Sequence, residues 1–373
     1  MKRPMPAPSH SSSQALLSIQ LLRALAAVLV LIGHALHDSN FVAARIGQAE
    51  LPQHGVSFGI GVDIFFVISG FIMLYTTAGK FGTPGAPRQF FIRRLQRIAP
   101  LYWLLTTVFI VGTFVAPKFL NVPIEGWRSI IESYLFIPGL RANGEVRPLL
   151  ALGWTLNYEM FFYALFACCL VFPLKRGLIL LTAFFVCFVA AGALFQMPTA
   201  LAFWSDSIIF EFLFGVGIAL LLRADVRLSA PVAMAVFVAG VALAIGLGPL
   251  WRVSDALPRF VAAGIPAALI VFAAACGPRI RASWFVAPLV LVGDASYSLY
   301  LSHPFVIRPL RNLWMLLPAQ VPLWTYVMTC CVVAVFGAIA VYWLIERPLI
   351  RLFMDKKPDR GLPQPAPSRT LAG

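Results

Sequence analysis

The chain is poor in charge. Of its 373 residues only 12% are Asp, Glu, Lys or Arg, where a soluble globular protein carries about a quarter, and 60% are hydrophobic. With a mean hydropathy of +0.85, this scarcity excludes a soluble domain and marks an integral membrane protein. No stretch is long enough for a separate soluble domain, and no internal repeat is visible. The six cysteines (Cys168, Cys169, Cys187, Cys276, Cys330, Cys331) all fall inside apolar runs, with no Cys-x-x-Cys or Cys/His ligand spacing. They read as small packing residues, so neither a disulfide framework nor a metal site is expected. No serine stands in a nucleophile-elbow setting, which favours direct group transfer over a serine-bound intermediate. Acid is scarcer than base: 15 Asp and Glu against 29 Lys and Arg give a net charge of +14. In a soluble domain that balance would suggest nucleic acid. Here the basic residues sit in short segments between apolar runs, where they set orientation, and nucleic-acid binding is excluded.

What is present is a succession of apolar runs. A spanning helix needs about 20 mostly apolar residues, and the sequence offers about ten, near 15–36, 56–77, 98–116, 154–173, 177–195, 205–222, 230–248, 259–276, 284–302 and 323–345. The expected fold is therefore all-α, a polytopic transmembrane helical bundle. A Pro/Ser-rich stretch, 1–14, reads as a disordered cytoplasmic tail, 15–350 as the membrane domain, and 351–373 as a Pro-rich cytoplasmic tail. The apolar run after residue 14 is too long for a signal-peptide core and lacks a convincing cleavage site, so it reads as an uncleaved first span. Lys2 and Arg3, then Lys80, Arg88, Arg93, Arg94 and Arg97, then the pairs at 175–176, 223/227 and 279/281, and finally Arg347, Arg351, Lys356 and Lys357 fall on one side. The positive-inside rule places that side, with both termini, in the cytoplasm. The longest connection, 117–153, contains "WRSIIESYLFI", whose apolar residues recur at helical spacing and suit a helix lying on the membrane surface.

Ionisable residues inside such runs are costly and call for partners or water. The first span, "LLRALAAVLVLIGHALHD", carries Arg23 in its inner half and His34 near its outer end. Eleven residues separate them by roughly 16 Å along the axis and return them to within roughly 20° of one face. Alone, Arg23 equally suits a snorkelling anchor and His34 a packed histidine. Asp63, Glu159, Glu211 and His303, from four other spans, reach a similar outward depth, which favours one polar cavity over scattered ion pairs. His34 beside Asp63 or Glu159 could take a proton from an alcohol while the carboxylate stabilises the imidazolium. His37, one turn on, reads as a helix-end residue. At the inner surface, "RQFFIRRLQRIAPLYW" places Arg93, Arg94 and Arg97 on a helical ridge. Such ridges commonly serve as orientation signals or headgroup contacts; the functional alternative is a forked grip on phosphate.

These motifs, in order over residues 16 to about 350, resemble acyltransferase family 3, the bacterial inner-membrane O-acyltransferases. "LLRALAAVLVLIGHA" is similar to its Arg-x10-His signature, "GVDIFFVISGFIM" to its second-helix motif and "RRLQRIAPLYW" to its cytoplasmic arginine motif. "WTLNYEMFFY", "SYSLYLSHP" and "IERP" are similar to its later signatures. The wording is nearest its exopolysaccharide-acetylating branch. The resemblance implies acetyl-CoA as acyl donor, a catalytic role for His34 with Arg23 in support, and an acyl-CoA role for Arg94 and Arg97 with Arg93 beside them. It implies site positions for Glu159 and Asp63 without individual roles; Glu211 and His303 are expected on the acceptor side. The implied partners are acyl-CoA, a hydroxyl-bearing exopolysaccharide or lipid-linked glycan, and membrane lipids. Succinyl or another acyl group is an alternative. So is a transporter, although the inverted repeats and paired broken helices of carriers are not found.

Overall fold

A computed structural model describes residues 10–51, 57–115, 124–254, 257–317 and 321–354. Every regular element among them is helical, and the one β contact is an isolated antiparallel bridge between Leu140 and Val146. The helices are α1 (His10–Ile46), α2 (Ile60–Thr77), α3 (Ala86–Val115), α4 (Trp127–Tyr134), α5 (Trp154–Cys169), α6 (Leu174–Leu194), α7 (Thr199–Trp204), α8 (Phe210–Arg223) and α9 (Ala230–Ser254). They continue with α10 (Ile265–Cys276), α11 (Ala287–Asp294), α12 (Ser296–Ser302), α13 (Pro304–Trp314), α14 (Leu323–Val341) and α15 (Arg347–Met354). All-helical structure is what lipid demands, because only a helix or a closed barrel satisfies its own backbone groups without water.

Six described helical segments are long and apolar enough to cross a bilayer: Leu17–Ile46, Ile60–Lys80, Ala86–Val115, Leu174–Leu194, Ala230–Gly248 and Leu323–Phe353. The remaining expected spans form shorter pieces. α5 has 16 residues, about 24 Å of helix at 1.5 Å per residue, and the run at 284–302 breaks between Asp294 and Ser296 into α11 and α12. Of the tails expected at 1–14 and 351–373, residues 1–9 and 355–373 lie outside the described residues, while the helix already runs from His10. The connection expected over 117–153 contains a short helix, α4, with Trp127, Ile131 and Leu135 exposed on it and at its end.

α2 is the central post. Its spanning segment is 78% buried, against 11% for α9 and 17% for α6. A bilayer offers no hydrophobic drive between helices, so close approach depends on small residues. Gly70 of α2 and Gly215 of α8 supply it: a Cβ on Gly70 would collide with the carbonyl oxygen of Phe212, and one on Gly215 with that of Val67. Stacked rings fill the space beside that contact, with Phe212 4.7 Å from Phe66 and 4.5 Å from Phe162 between ring centres. A second apolar cluster joins Ala27, Leu31 and Ala35 of α1 to Tyr326, Val327 and Cys330 of α14. One side of α1 is thus held by α14 and the other by α2, and the Arg23–His34 line runs between them.

Candidate active site

Between α1, α2, α3, α5 and α12 lies a cavity of about 350 Å³. Arg23, Arg94, Arg97 and Glu159 line it together, with Gln20, Ser69, Tyr163 and Tyr300. Three guanidinium groups therefore face one carboxylate across its walls. Arg23 is held from behind. Arg23 donates from Nη1 to Gln20 Oε1 at 3.0 Å, and the Gln20 amide donates to Asp294 Oδ1 at 2.7 Å. The hydroxyls of Ser69 and Tyr163 are 2.8 Å apart, and Tyr163 lines the cavity with Glu159. Arg94 sits over the ring of Phe90 at 5.5 Å, and its Nε is buried without a partner. Neither Arg94 nor Arg97 makes an ion pair among the described residues. A buried donor with no acceptor, beside a second free guanidinium, fits a bound anion. Arg93 is different: it is exposed and does not line the cavity.

At the other end the wall is Tyr300, whose hydroxyl donates to Leu152 O and meets Thr155 Oγ1, both at 3.0 Å. Its ring centre is 6.5 Å from that of His303, and His303 lies 4.9 Å from His34. Each imidazole is oriented in the same way. Nδ1 of His34 lies 2.9 Å from Val30 O, and Nδ1 of His303 lies 2.9 Å from Leu299 O. A carbonyl can only accept, so Nδ1 carries the proton in both and Nε2 keeps its lone pair. His34 is exposed, whereas His303 is 1% exposed with Nε2 unpartnered. The partner of His34 is thus a second histidine; Glu159 faces the arginines instead. His37 stands apart, edge-to-face with Phe41 at 5.8 Å between ring centres.

Asp63 and Glu211 form a separate, closed group. Arg259 grips Asp63 with two bonds, Nε to Oδ1 at 2.8 Å and Nη2 to Oδ2 at 3.3 Å, and covers Trp154 at 5.4 Å. Glu211 is 0% exposed and packs against Gly264, at the end of a π-turn over 260–264. Neither carboxylate lines the cavity. The sequence reading missed Arg259, a cation at the start of the 259–276 run that the structure pairs with Asp63. It also missed Glu346, although "IERP" was in view. A second π-turn over 342–346 turns Glu346 inward, where Oε2 accepts from Ser298 Oγ at 2.5 Å. Single-turn π segments recur at functional sites because the extra residue re-aims a side chain. No cluster of His, Cys, Asp and Glu that could hold a metal occurs among the described residues.

Residues 16–343 match the acyltransferase domain family. The chain is 32% identical to the exopolysaccharide production protein ExoZ of Rhizobium meliloti, over 84% of this chain and 96% of that one. It is 26% identical to the putative membrane-bound transacylase BcsY of Komagataeibacter xylinus, over 65% of each. With the O-acetyltransferase OatA of Staphylococcus aureus it shares 25% identity, over 78% of this chain and 52% of the relative. No solved structure matches. The chain belongs to acyltransferase family 3, and it is an acyltransferase.

Proposed function

We propose that this protein is an O-acetyltransferase of the bacterial inner membrane, moving an acetyl group from cytoplasmic acetyl-CoA to a hydroxyl of an exopolysaccharide or its lipid-linked precursor at the periplasmic side. The observation that carries this reading is a cavity lined by guanidinium groups without ion-pair partners, with the oriented histidine pair behind Tyr300 in its wall and not itself lining the cavity. In this reading about ten segments cross the membrane with both termini inside. Arg94 and Arg97 hold the phosphate groups of the donor, and Arg23 and Glu159 line the path between them and the histidines. Arg93 contributes long-range attraction. Asp63 keeps α2 in register through Arg259, and Glu211 supports the same clamp, so both act on the site through the helix that lines it.

Bound acetyl-CoA would supply a thioester carbonyl, an acyl group already activated for transfer. The chain's part is to bring the hydroxyl to it and remove the hydroxyl proton. Nε2 of His34 takes that proton as the acceptor oxygen bonds to the carbonyl carbon. The carbon–sulfur bond breaks with its electron pair on sulfur, and the proton on His34 leaves with the thiol or through water. His303, too enclosed to meet the acceptor first, positions the His34 ring.

General-base assistance is typically worth 10²–10⁴-fold, so His34→Ala should lose at least about a hundredfold in glycan acetylation at matched protein levels while melting like the parent. Near-parental acetylation would remove His34 from the chemistry. Sidedness is tested by cysteines placed at Glu50 and Lys80 in a background cleared of the native six. A membrane-impermeant thiol reagent should label Glu50→Cys in intact spheroplasts and Lys80→Cys only after lysis. The reverse pattern would turn the cavity round and end the cross-membrane reading.

A further inference from the structure

Two arginines of the bundle meet an aspartate directly. Arg259 grips Asp63 with two bonds, and Arg311 of α13 donates from Nη1 to Asp38 Oδ1 at 2.9 Å. Arg23 is treated differently. An acid, Asp294 at the end of α11, lies behind it, but the side chain of Gln20 stands between the two. Arg23 Nη1 donates to Gln20 Oε1 at 3.0 Å, and Gln20 Nε2 donates to Asp294 Oδ1 at 2.7 Å. A guanidinium can only donate and a carboxylate can only accept, so the amide between them has one orientation open to it. Gln20 lies three residues before Arg23 on α1, whereas Asp294 is 274 residues away from Gln20 in the chain. The relay is therefore made by folding. Gly293 admits α11 to α1 at this point: a Cβ there would collide with the backbone carbonyl oxygen of Gln20. Gln20 and Arg23 both line the cavity, and Asp294 does not. Arg23 forms no ion pair among the described residues. The amide thus fixes the guanidinium while holding the negative charge one side chain away. Coulomb attraction weakens with distance, so the charge of Arg23 stays available to whatever enters the cavity.

We propose that Gln20 and Asp294 are positioning residues for the transfer: through the amide they aim the Arg23 guanidinium into the cavity with its charge unpaired, which makes Arg23 a third cation, beside Arg94 and Arg97, for the anionic donor. This rests on the reading that acyl-CoA occupies the cavity. The amide is the functional part. A carboxylate at position 20 would hold the same guanidinium with a stronger, charge-assisted bond and would cancel the charge that the donor needs. A side chain without polar atoms would leave the charge and lose the aim.

The test exchanges the two functional groups of the relay. Gln20→Glu together with Asp294→Asn keeps the net charge and both hydrogen bonds, because the new amide at 294 can donate to the new carboxylate at 20, which accepts from Arg23. Only the negative charge moves, to the side of Arg23. Equilibrium binding of acetyl-CoA and of inorganic pyrophosphate is measured on the full chain in nanodiscs of neutral lipid, with melting followed in detergent. The exchanged variant should melt at or above the parental temperature and bind acetyl-CoA at least about tenfold more weakly. A purely structural contact would show no such split. Asp294→Ala, which frees the amide to turn, should weaken binding to a smaller extent. Asp294→Asn should restore most of that loss, since its carbonyl still accepts from Gln20, and this second comparison decides the matter if the exchanged variant does not fold. Parental affinity for both anions in the exchanged variant, or equal affinity in Asp294→Ala and Asp294→Asn, would overturn the proposal. So would a parent that binds neither anion. A parent that binds pyrophosphate but not acetyl-CoA, with the exchange weakening pyrophosphate, would leave the relay standing and end the acetyl-CoA reading.

Discussion

Two groups of charged residues lie within the bundle, and they resemble each other in sequence far more than in structure. One, around Arg23, Arg94, Arg97 and Glu159, opens into a cavity of about 350 Å³ and leaves guanidinium groups without ion-pair partners. The other, Asp63 with Arg259 and Glu211, is sealed: its guanidinium and carboxylate meet in two bonds and a tryptophan ring closes one side. In both, charges sit where lipid or apolar side chains would penalise them. In the sealed group Asp63 answers that cost by pairing with Arg259, while both Glu211 oxygens stay buried without a hydrogen-bond partner, and the open group leaves its charge for something that enters. Burial and partnering, more than residue type, separate a strut from a site.

The sharpest way to break this comparison is Arg259→Leu. It leaves Asp63 and Glu211 buried with no cation, and removal of one partner from a buried pair costs about 3–5 kcal/mol. The variant should melt well below the parent in detergent, and Asp63→Asn with Arg259→Gln together should lose less than the single change. If Arg259→Leu melted like the parent but ceased to turn over, the sealed group would belong to the chemistry. The mirror experiment is Arg94→Gln with Arg97→Gln. A hydrogen bond to a charged group is worth about 1.5–3 kcal/mol, so acetyl-CoA affinity should fall at least about tenfold per arginine with melting unchanged. Lysine at both positions should recover only part of it, since charge returns without the fork. Donor binding as tight as the parent's would reduce the pair to an orientation signal. The smallest expected effect is steric. Gly70→Ala drives a methyl into the Phe212 carbonyl, and overpacking of this kind typically costs about 1–3 kcal/mol. It should lower the melting point and leave donor affinity per folded molecule unaltered. A donor-specific loss would instead place the α2–α8 contact inside the binding machinery.

Much of the candidate site is legible in the sequence, because membrane chemistry makes polar residues conspicuous. Arg23 and His34 could be set on one face by helical arithmetic, and the Arg94/Arg97 pair stood out by its spacing. Depth was readable; neighbours were not. Asp63, Glu159 and His34 were expected to be close because each lay near the outer end of its span. That placement fixes one coordinate and leaves rotation and lateral position open. The structure turns Asp63 toward Arg259, turns Glu159 toward the arginines, and gives His34 a histidine as neighbour. Arg93 and Arg94 are adjacent in sequence and about 100° apart on the helix, so only one of them opens into the cavity.

By itself the sequence determined that the chain is helical and membrane-embedded, since its apolar runs leave the backbone no other partner than itself, and it determined which few residues carry charge into those runs. The tertiary structure decided which of those charges neutralise one another. That outcome depends on α2 and α8 closing on Gly70 and Gly215, on two π-turns, one turning Glu346 inward and one ending against Glu211, and on carbonyls four residues back fixing both imidazoles with Nε2 free. The glycine contacts join residues distant in the chain, the π-turns depart locally from ideal helix geometry, and the imidazole bonds depend on the rotamer each ring takes, and a hydrophobicity pattern with a period of 3.6 residues contains none of these.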